Sequence, residues 1–113
     1  MTRIRITLGH VVVTATLNNS KTAGLVEQVL PLESKAQRWG DEVYFTIPVE
    51  TGEENAQADV SAGTVAYWPP GRALCLFFGQ RPYSPVNVVG RIEGDPDTLA
   101  NVKDADAVRV EGA

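Results

Sequence analysis

The stretch from residue 65 to residue 79 holds the densest set of side chains that could bind a ligand. It reads VAYWPPGRALCLFFG and carries Tyr67, Trp68, Phe77, Phe78 and the only cysteine of the chain, Cys75. Tyrosine and tryptophan combine apolar faces with polar tips, so a cluster of them can hold a peptide or a small apolar ligand. Strand alternation could send part of this cluster outward onto a groove. The alternative is that the aromatic residues fill and plug a core.

Groups for covalent or metal chemistry are sparse. Cys75 stands between Leu74 and Leu76, which predicts a buried thiol, because reactive thiols sit in exposed and electropositive settings. A single cysteine permits no intrachain disulfide and no cysteine-based zinc site. His10, the only histidine, falls at a predicted hairpin turn and is expected to be solvated. Asp95-Pro96-Asp97 lacks the spaced ligands of a calcium loop and is predicted to cap a helical turn. We therefore predict no metal and no cofactor.

Charge narrows the possible partners. Ten Lys and Arg against fourteen Asp and Glu give a net charge of -4 over 113 residues, with no basic cluster that could neutralise phosphates, so nucleic acid is excluded. Five carboxylates near predicted turns are expected to be solvated: Asp41, Glu42, Glu50, Glu53 and Glu54. The start of the chain lacks the features of a secretory signal, and no run approaches the ~20 apolar residues of a membrane span. We expect a cytoplasmic protein without a membrane partner.

The aromatic residues must be positioned by short strands. Period-two patterns predict strands at 3–8, 11–17, 34–39, 42–47, 65–68, 73–78, 86–92 and 107–110, with a weaker candidate at 56–60. Capping side chains at 18–20, followed by apolar residues at helical spacing, predict one short helix that stops before Pro31. Asp95-Pro96-Asp97 can open a helical turn that runs to Asn101. About eight short strands favour a sandwich or a closed barrel, and the length fits a single domain over 1–113.

Several landmarks, taken in order along the chain, resemble those of cyclophilins. They are Ser20-Lys21-Thr22-Ala23, Val43 to Pro48, Gly63 to Tyr67, Phe77-Phe78 and Val88-Val89-Gly90. The segments Asn19 to Pro31, Trp39 to Glu42, Tyr44-Phe45 and Ala66 to Gly79 resemble more closely the small prokaryotic cyclophilin-like proteins, known mainly as a fold of uncharacterised function. The resemblance implies a mainly β fold, a closed eight-stranded barrel with one helix near the N-terminus and a short helix or helical turn near the C-terminus.

The resemblance also implies prolyl isomerisation, but the sequence departs from the catalytic pattern of cyclophilins. In cyclophilins an arginine on the strand matching Val43 to Pro48 donates toward the imide nitrogen of an X-Pro bond, which weakens the conjugation behind a barrier of ~18–20 kcal/mol. Phe45 stands at that position, and Asn87 stands where the family has a histidine. Losing one preorganised donor of this kind costs roughly 2.7–4 kcal/mol of transition-state stabilisation.

We therefore predict a cyclophilin-like protein that binds a peptide or small apolar ligand in a groove near Phe78, without efficient isomerisation. The residues assigned to this groove are Tyr44, Phe45, Tyr67, Trp68, Arg72, Phe78 and Asn87, and no catalytic residue is assigned. One alternative is a weak peptidyl-prolyl isomerase in which Arg72 or Arg81 replaces the missing arginine. Another is a homo-oligomeric assembly module whose aromatic face is covered by a second copy. The sequence does not predict which face of strand 73–78 points inward, because both of its faces are apolar.

Overall fold

The computed structural model describes residues 2–113, within which nine antiparallel strands form one sheet. The strands are β1 Arg3–Leu8, β2 Val11–Leu17, β3 Leu32–Lys35, β4 Gln37–Arg38, β5 Glu42–Thr46, β6 Thr64–Trp68, β7 Ala73–Phe77, β8 Asn87–Glu93 and β9 Ala107–Gly112. Their order across the sheet is β3-β9-β1-β2-β8-β6-β7-β5-β4. The mainly β class and the barrel are confirmed.

The segment spanning β3 and β4 closes the sheet into a nearly complete barrel. β3 pairs with β9 at one edge, and β4 pairs with β5 at the other, so one stretch of chain serves both edges. The Ser34 hydroxyl donates to the Thr46 carbonyl across the seam, at 2.7 Å. Closure matters because an open edge would leave a row of backbone donors and acceptors unpaired.

The strand count differs from the predicted eight for a local reason. The predicted strand 34–39 is divided at Ala36, whose backbone bonds to Asp106 and Ala105 at 2.9 and 2.8 Å before the chain turns toward β5. The weaker candidate at 56–60 forms a single bridge between Gln57 and Val86.

Alternation fills the barrel interior with apolar side chains. Ile4, Ile6 and Leu8 point inward from β1 and are fully buried, as a period-two pattern requires. β5, β6 and β7 contribute Val43, Phe45, Val65, Tyr67, Leu74 and Leu76 to the same cluster. Tyr67 is accommodated because its hydroxyl donates to the Val49 carbonyl at 2.6 Å, which satisfies the one polar group that it brings inside.

β7 is buried at every position, which answers the question of its inward face. Leu74 and Leu76 belong to the interior cluster, whereas Cys75 and Phe77 belong to a second cluster outside the barrel wall. Phe78 follows the same alternation and returns to the interior, where the Arg38 guanidinium lies 5.1 Å from its ring centroid.

The single α-helix of the described residues, α1 Lys21–Gln28, packs beside β8, and its prediction is confirmed. Ser20 caps it by accepting from the Ala23 N–H at 3.1 Å. Near the C-terminus, Pro96–Asn101 forms a 3-10 helix in which Asp95 accepts from the Asp97 N–H at 2.9 Å, as predicted. Among residues 2–113, the helices are too short and too polar to cross a membrane.

The interior position of Phe45 predicts that its ring contributes strongly to the free energy of unfolding. Phe45→Ala removes a fully buried ring and is expected to lower the free energy of unfolding by about 3–5 kcal/mol, measured by urea denaturation. Thr46→Ala, on the exposed side of the same strand, is the control and should change it by less than about 0.5 kcal/mol. Equal effects of the two substitutions would contradict the assignment of Phe45 to the interior.

Candidate ligand-binding groove

A groove lies on the outer face of the sheet, over the neighbouring strands β5, β7 and β6. Its cavity volume is about 340 Å³, at the lower end of the range for small-molecule sites. We call it the aromatic groove, and define it by the residues that line it: Trp39, Glu42, Tyr44, Trp68, Cys75, Phe77, Pro82, Tyr83 and Val86. Residues 79–86, here named the cover loop, supply its outer side.

Cross-strand neighbours form the floor of the aromatic groove. In the register of β5 and β7, Glu42 lies opposite Phe77 and Tyr44 lies opposite Cys75. On the other side of Cys75 lies the small side chain of Ala66. Directly opposed side chains on one sheet face stand about 4.5–5.5 Å apart, so these residues make one continuous surface.

Three aromatic residues form the walls. The Tyr83 ring meets Trp39 edge to face at 5.8 Å and 77°, and meets Trp68 at 6.1 Å and 83°. The Trp68 indole N–H donates to the Ser84 hydroxyl, which ties the wall to the cover loop. The Trp68 ring also lies over Gly71 where a Cβ atom would stand, so the glycine of Pro-Pro-Gly makes room for it. The walls therefore depend on one another.

Glu42 is a buried carboxyl group on this mostly apolar floor. It is 6% exposed, and burial raises the pKa of its carboxyl above the ordinary value, an effect that the neighbouring Cys75 thiol partly offsets. No ion pair of Glu42 occurs within residues 2–113, and the aromatic groove has no basic residue in its lining. The prediction that Glu42 is solvated is therefore wrong, because Trp39 and the cover loop screen the start of β5 from water.

The Cys75 thiol is buried, as predicted, with 1% of the residue exposed. Burial, reinforced by the nearby Glu42 carboxylate, raises the pKa of the thiol well above its ordinary value. A thiol in this state is a poor nucleophile. Cys75 therefore contributes shape and apolar surface to the floor, and the remaining described residues form no cluster of metal-ligating side chains.

Tyr44 and Trp68 are the two predicted site residues that line the aromatic groove. Phe45, Tyr67 and Phe78 point into the barrel interior and are buried there. The predicted groove beside Phe78 is thus corrected to a groove over Phe77, because successive side chains of a strand face opposite sides of the sheet.

The remaining two predicted site residues have other partners. Arg72 is exposed and forms an ion pair with Glu50 at 2.9 Å. Asn87 is buried. Its side-chain NH₂ group donates to the Gly52 carbonyl, and its side-chain oxygen accepts from the Glu54 N–H, both at 2.9 Å. This network also holds Glu54, whose carboxylate accepts from the Thr22 N–H at the start of α1 at 2.8 Å.

Glu54 is therefore a capping residue and not simply a solvated acid. The hydroxyl of Thr22, and then the backbone N–H groups of Thr22 and Lys21, lower the pKa of its carboxyl. Orphan N–H groups of a helix N-terminus are stabilised by such an acceptor. Asn87 and Glu54 together hold the loop after β5 against the start of α1, and neither residue lines the aromatic groove.

Comparison with known proteins agrees with this architecture. Residues 2–111 match the family described as Cyclophilin-like. The chain is similar to a hypothetical protein from Archaeoglobus fulgidus, known from its solution structure, with 42% identity and a TM-score of 0.85 over 99% of this chain and 95% of that one. McbB in complex with tryptophan is similar in fold alone, with 24% identity and a TM-score of 0.80 over 96% of this chain and 44% of McbB. No curated protein matches the chain.

The buried carboxyl of Glu42 predicts a dependence of stability on pH. Its raised pKa means that the folded protein retains a proton which the unfolded chain releases, so Glu42 makes stability fall as pH rises from about 4 through the folded-state pKa. Glu42→Gln removes this term. We expect the free energy of unfolding of the variant, relative to wild type, to increase over that rise in pH, as measured by urea denaturation at a series of pH values. A difference that stays constant, or decreases, would contradict the burial of Glu42.

Proposed function

The chain belongs to the cyclophilin-like family, and from this premise we propose that it is a binding protein whose aromatic groove takes one small ligand with a flat apolar body. The observation that carries the proposal is the arrangement of Trp39, Trp68 and Tyr83 as walls above a floor that includes Phe77. Aromatic rings give a ligand large contact areas in defined orientations. The cavity is large enough for a group the size of an aromatic side chain.

The chemistry of the aromatic groove does not favour prolyl isomerisation. Phe45, which occupies the position of the family's arginine, faces the opposite side of the sheet. Arg72 and Arg81, the two candidate replacements, are exposed and form ion pairs with Glu50 and Asp59. Neither arginine is in the lining, so a bound X-Pro bond would meet no guanidinium donor there. Binding without isomerisation is the function we propose.

A protein of similar fold, McbB, binds an aromatic molecule. The structure of McbB was solved in complex with tryptophan, and the part of McbB that matches this chain is 44% of its length. At 24% identity the likeness concerns the fold, so tryptophan enters the tests as one probe among several.

A second candidate is self-association through the same face. Tyr83 is 77% exposed and Trp39 is 45% exposed, and large exposed apolar side chains often mark interfaces. Light scattering across the concentrations used for ligand titrations separates the two proposals. A monomer that binds an aromatic probe supports ligand binding, whereas a dimer that Tyr83→Ala dissociates supports self-association.

Intrinsic fluorescence offers a direct test of ligand binding. Both tryptophans of the chain line the aromatic groove, so emission excited selectively at tryptophan reports on this site. We expect phenethyl alcohol to produce a saturable change in emission. Free tryptophan and blocked X-Pro dipeptides, followed by NMR shifts, test the amino-acid and peptide versions.

Two variants locate the binding. Tyr83→Ala removes a wall and is expected to weaken the binding of phenethyl alcohol by about 1 kcal/mol, roughly fivefold. Val12→Ala truncates another exposed apolar residue, 57% exposed and outside the aromatic groove, and should leave binding unchanged. Absence of any fluorescence or NMR response up to the solubility limit of every probe would overturn the proposal, as would equal weakening by the two variants.

A further inference from the structure

We propose, as an inference that rests on the proposed function, that the ligand of the aromatic groove carries an ammonium group. This group binds the Glu42 carboxylate, and the apolar body of the ligand lies between the aromatic walls. The ligand class is thus a protonated amine with a flat hydrophobic body. Neutral and anionic molecules of the same shape would bind less tightly.

Glu42 is buried without a positively charged partner. It lies on the floor of the cavity with 6% of its surface exposed, and it forms no ion pair within the described chain. A buried carboxylate without a partner is destabilising, because it loses hydration without gaining an attractive charge. A ligand cation would supply that charge. The side-chain partner that the fold gives this carboxyl is the neutral thiol of Cys75 on β7, which supplies no positive charge.

Aromatic rings are concentrated around this carboxylate. Five of the eight aromatic residues of the chain line the cavity: Trp39, Tyr44, Trp68, Phe77 and Tyr83. The face of an aromatic ring carries negative electrostatic potential and attracts a cation within about 6 Å of its centroid. Rings and carboxylate therefore favour the same sign of charge, and both disfavour an anion.

Few other charged or titratable groups line the cavity beside Glu42. The Cys75 thiol of β7 contacts its carboxyl group, and Tyr44 and Tyr83 share the lining with it. Lysine, arginine and histidine are absent from this lining, so no side chain of the aromatic groove competes with a ligand cation for the carboxylate. Because the ionised form of Glu42 is the one that binds, ammonium binding should strengthen as pH rises through the folded-state pKa of Glu42.

Three probes with the same phenyl ring isolate the contribution of the ammonium group. They are phenethylammonium, phenethyl alcohol and phenylacetate, which differ mainly in the charge at the end of the side chain. A phenyl ring does not absorb where tryptophan is excited, so Trp39 and Trp68 can report on all three. At neutral pH we expect wild type to bind phenethylammonium at least about tenfold more tightly than phenethyl alcohol, as a charge-assisted hydrogen bond would give, and to bind phenylacetate most weakly.

A matched pair of variants assigns this preference to one carboxylate. Glu42→Gln keeps the shape of the side chain and removes its charge, so the variant should bind phenethylammonium and phenethyl alcohol within about threefold of each other. Asp41→Asn removes one negative charge from the adjacent, exposed residue outside the lining, and should keep the preference of the wild type. The wild-type comparison of the three probes needs no variant, so it stands even where a substitution impairs folding.

The outcomes separate this inference from the proposed function. Equal affinity of wild type for the three probes, or an ammonium preference that persists in Glu42→Gln, overturns the ammonium inference and leaves the binding function in place. Failure of all three probes to bind overturns both. A preference that is present in wild type and Asp41→Asn, is absent in Glu42→Gln and increases with pH in the mildly acidic range supports the inference.

Discussion

The burial of β7 on both of its faces is the constraint on which the rest of the structure depends. Its inward side chains, Leu74 and Leu76, are covered by the closure of the barrel. Its outward side chains, Cys75 and Phe77, are equally apolar, so they need a second cover that the sheet cannot provide. Trp39, Trp68 and the cover loop supply it, but they leave a cavity of about 340 Å³ between themselves and the strand. The candidate site is therefore the incompletely filled space between a barrel wall and its outer cover.

This arrangement separates the roles of the two sides of the sheet. The interior carries stability, with Phe45 and Tyr67 packed at 0% exposure. The outer side carries Glu42, a group that costs stability when ionised and screened from water. Proteins commonly retain such destabilising groups at binding sites, where a ligand rather than the fold satisfies them. In this protein a cyclophilin-like fold is combined with a candidate site on the outer face of the sheet, opposite to the side that Phe45 faces.

Much of the fold could be predicted from the sequence, because strands, turns and caps are local. The helix after Ser20, the capped turn after Asp95 and the buried Cys75 all follow from neighbouring residues. The alternation of Val43 and Phe45 against Glu42 and Tyr44 also contained the correct orientation of β5, but alignment with the arginine of cyclophilins placed Phe45 in the groove. The residue pattern of β7 does not predict which of its faces points inward, since both faces are apolar. Tyr83 was missed because it lies in a loop, where no periodicity indicates the direction of a side chain. Trp39 was missed because the predicted strand 34–39 continues past Arg38, where β4 ends.

We propose that ligands meet the outer face of β7 and not the barrel interior or its ends. Intermolecular nuclear Overhauser effects from bound phenethylammonium test this claim most directly, because each contact identifies a protein proton within a short distance of the probe. We expect contacts to the side chains of Tyr44, Phe77 and Trp68, which belong to one outer surface. Contacts to Phe45 or Phe78, or to residues around α1, with none to Phe77, would contradict it.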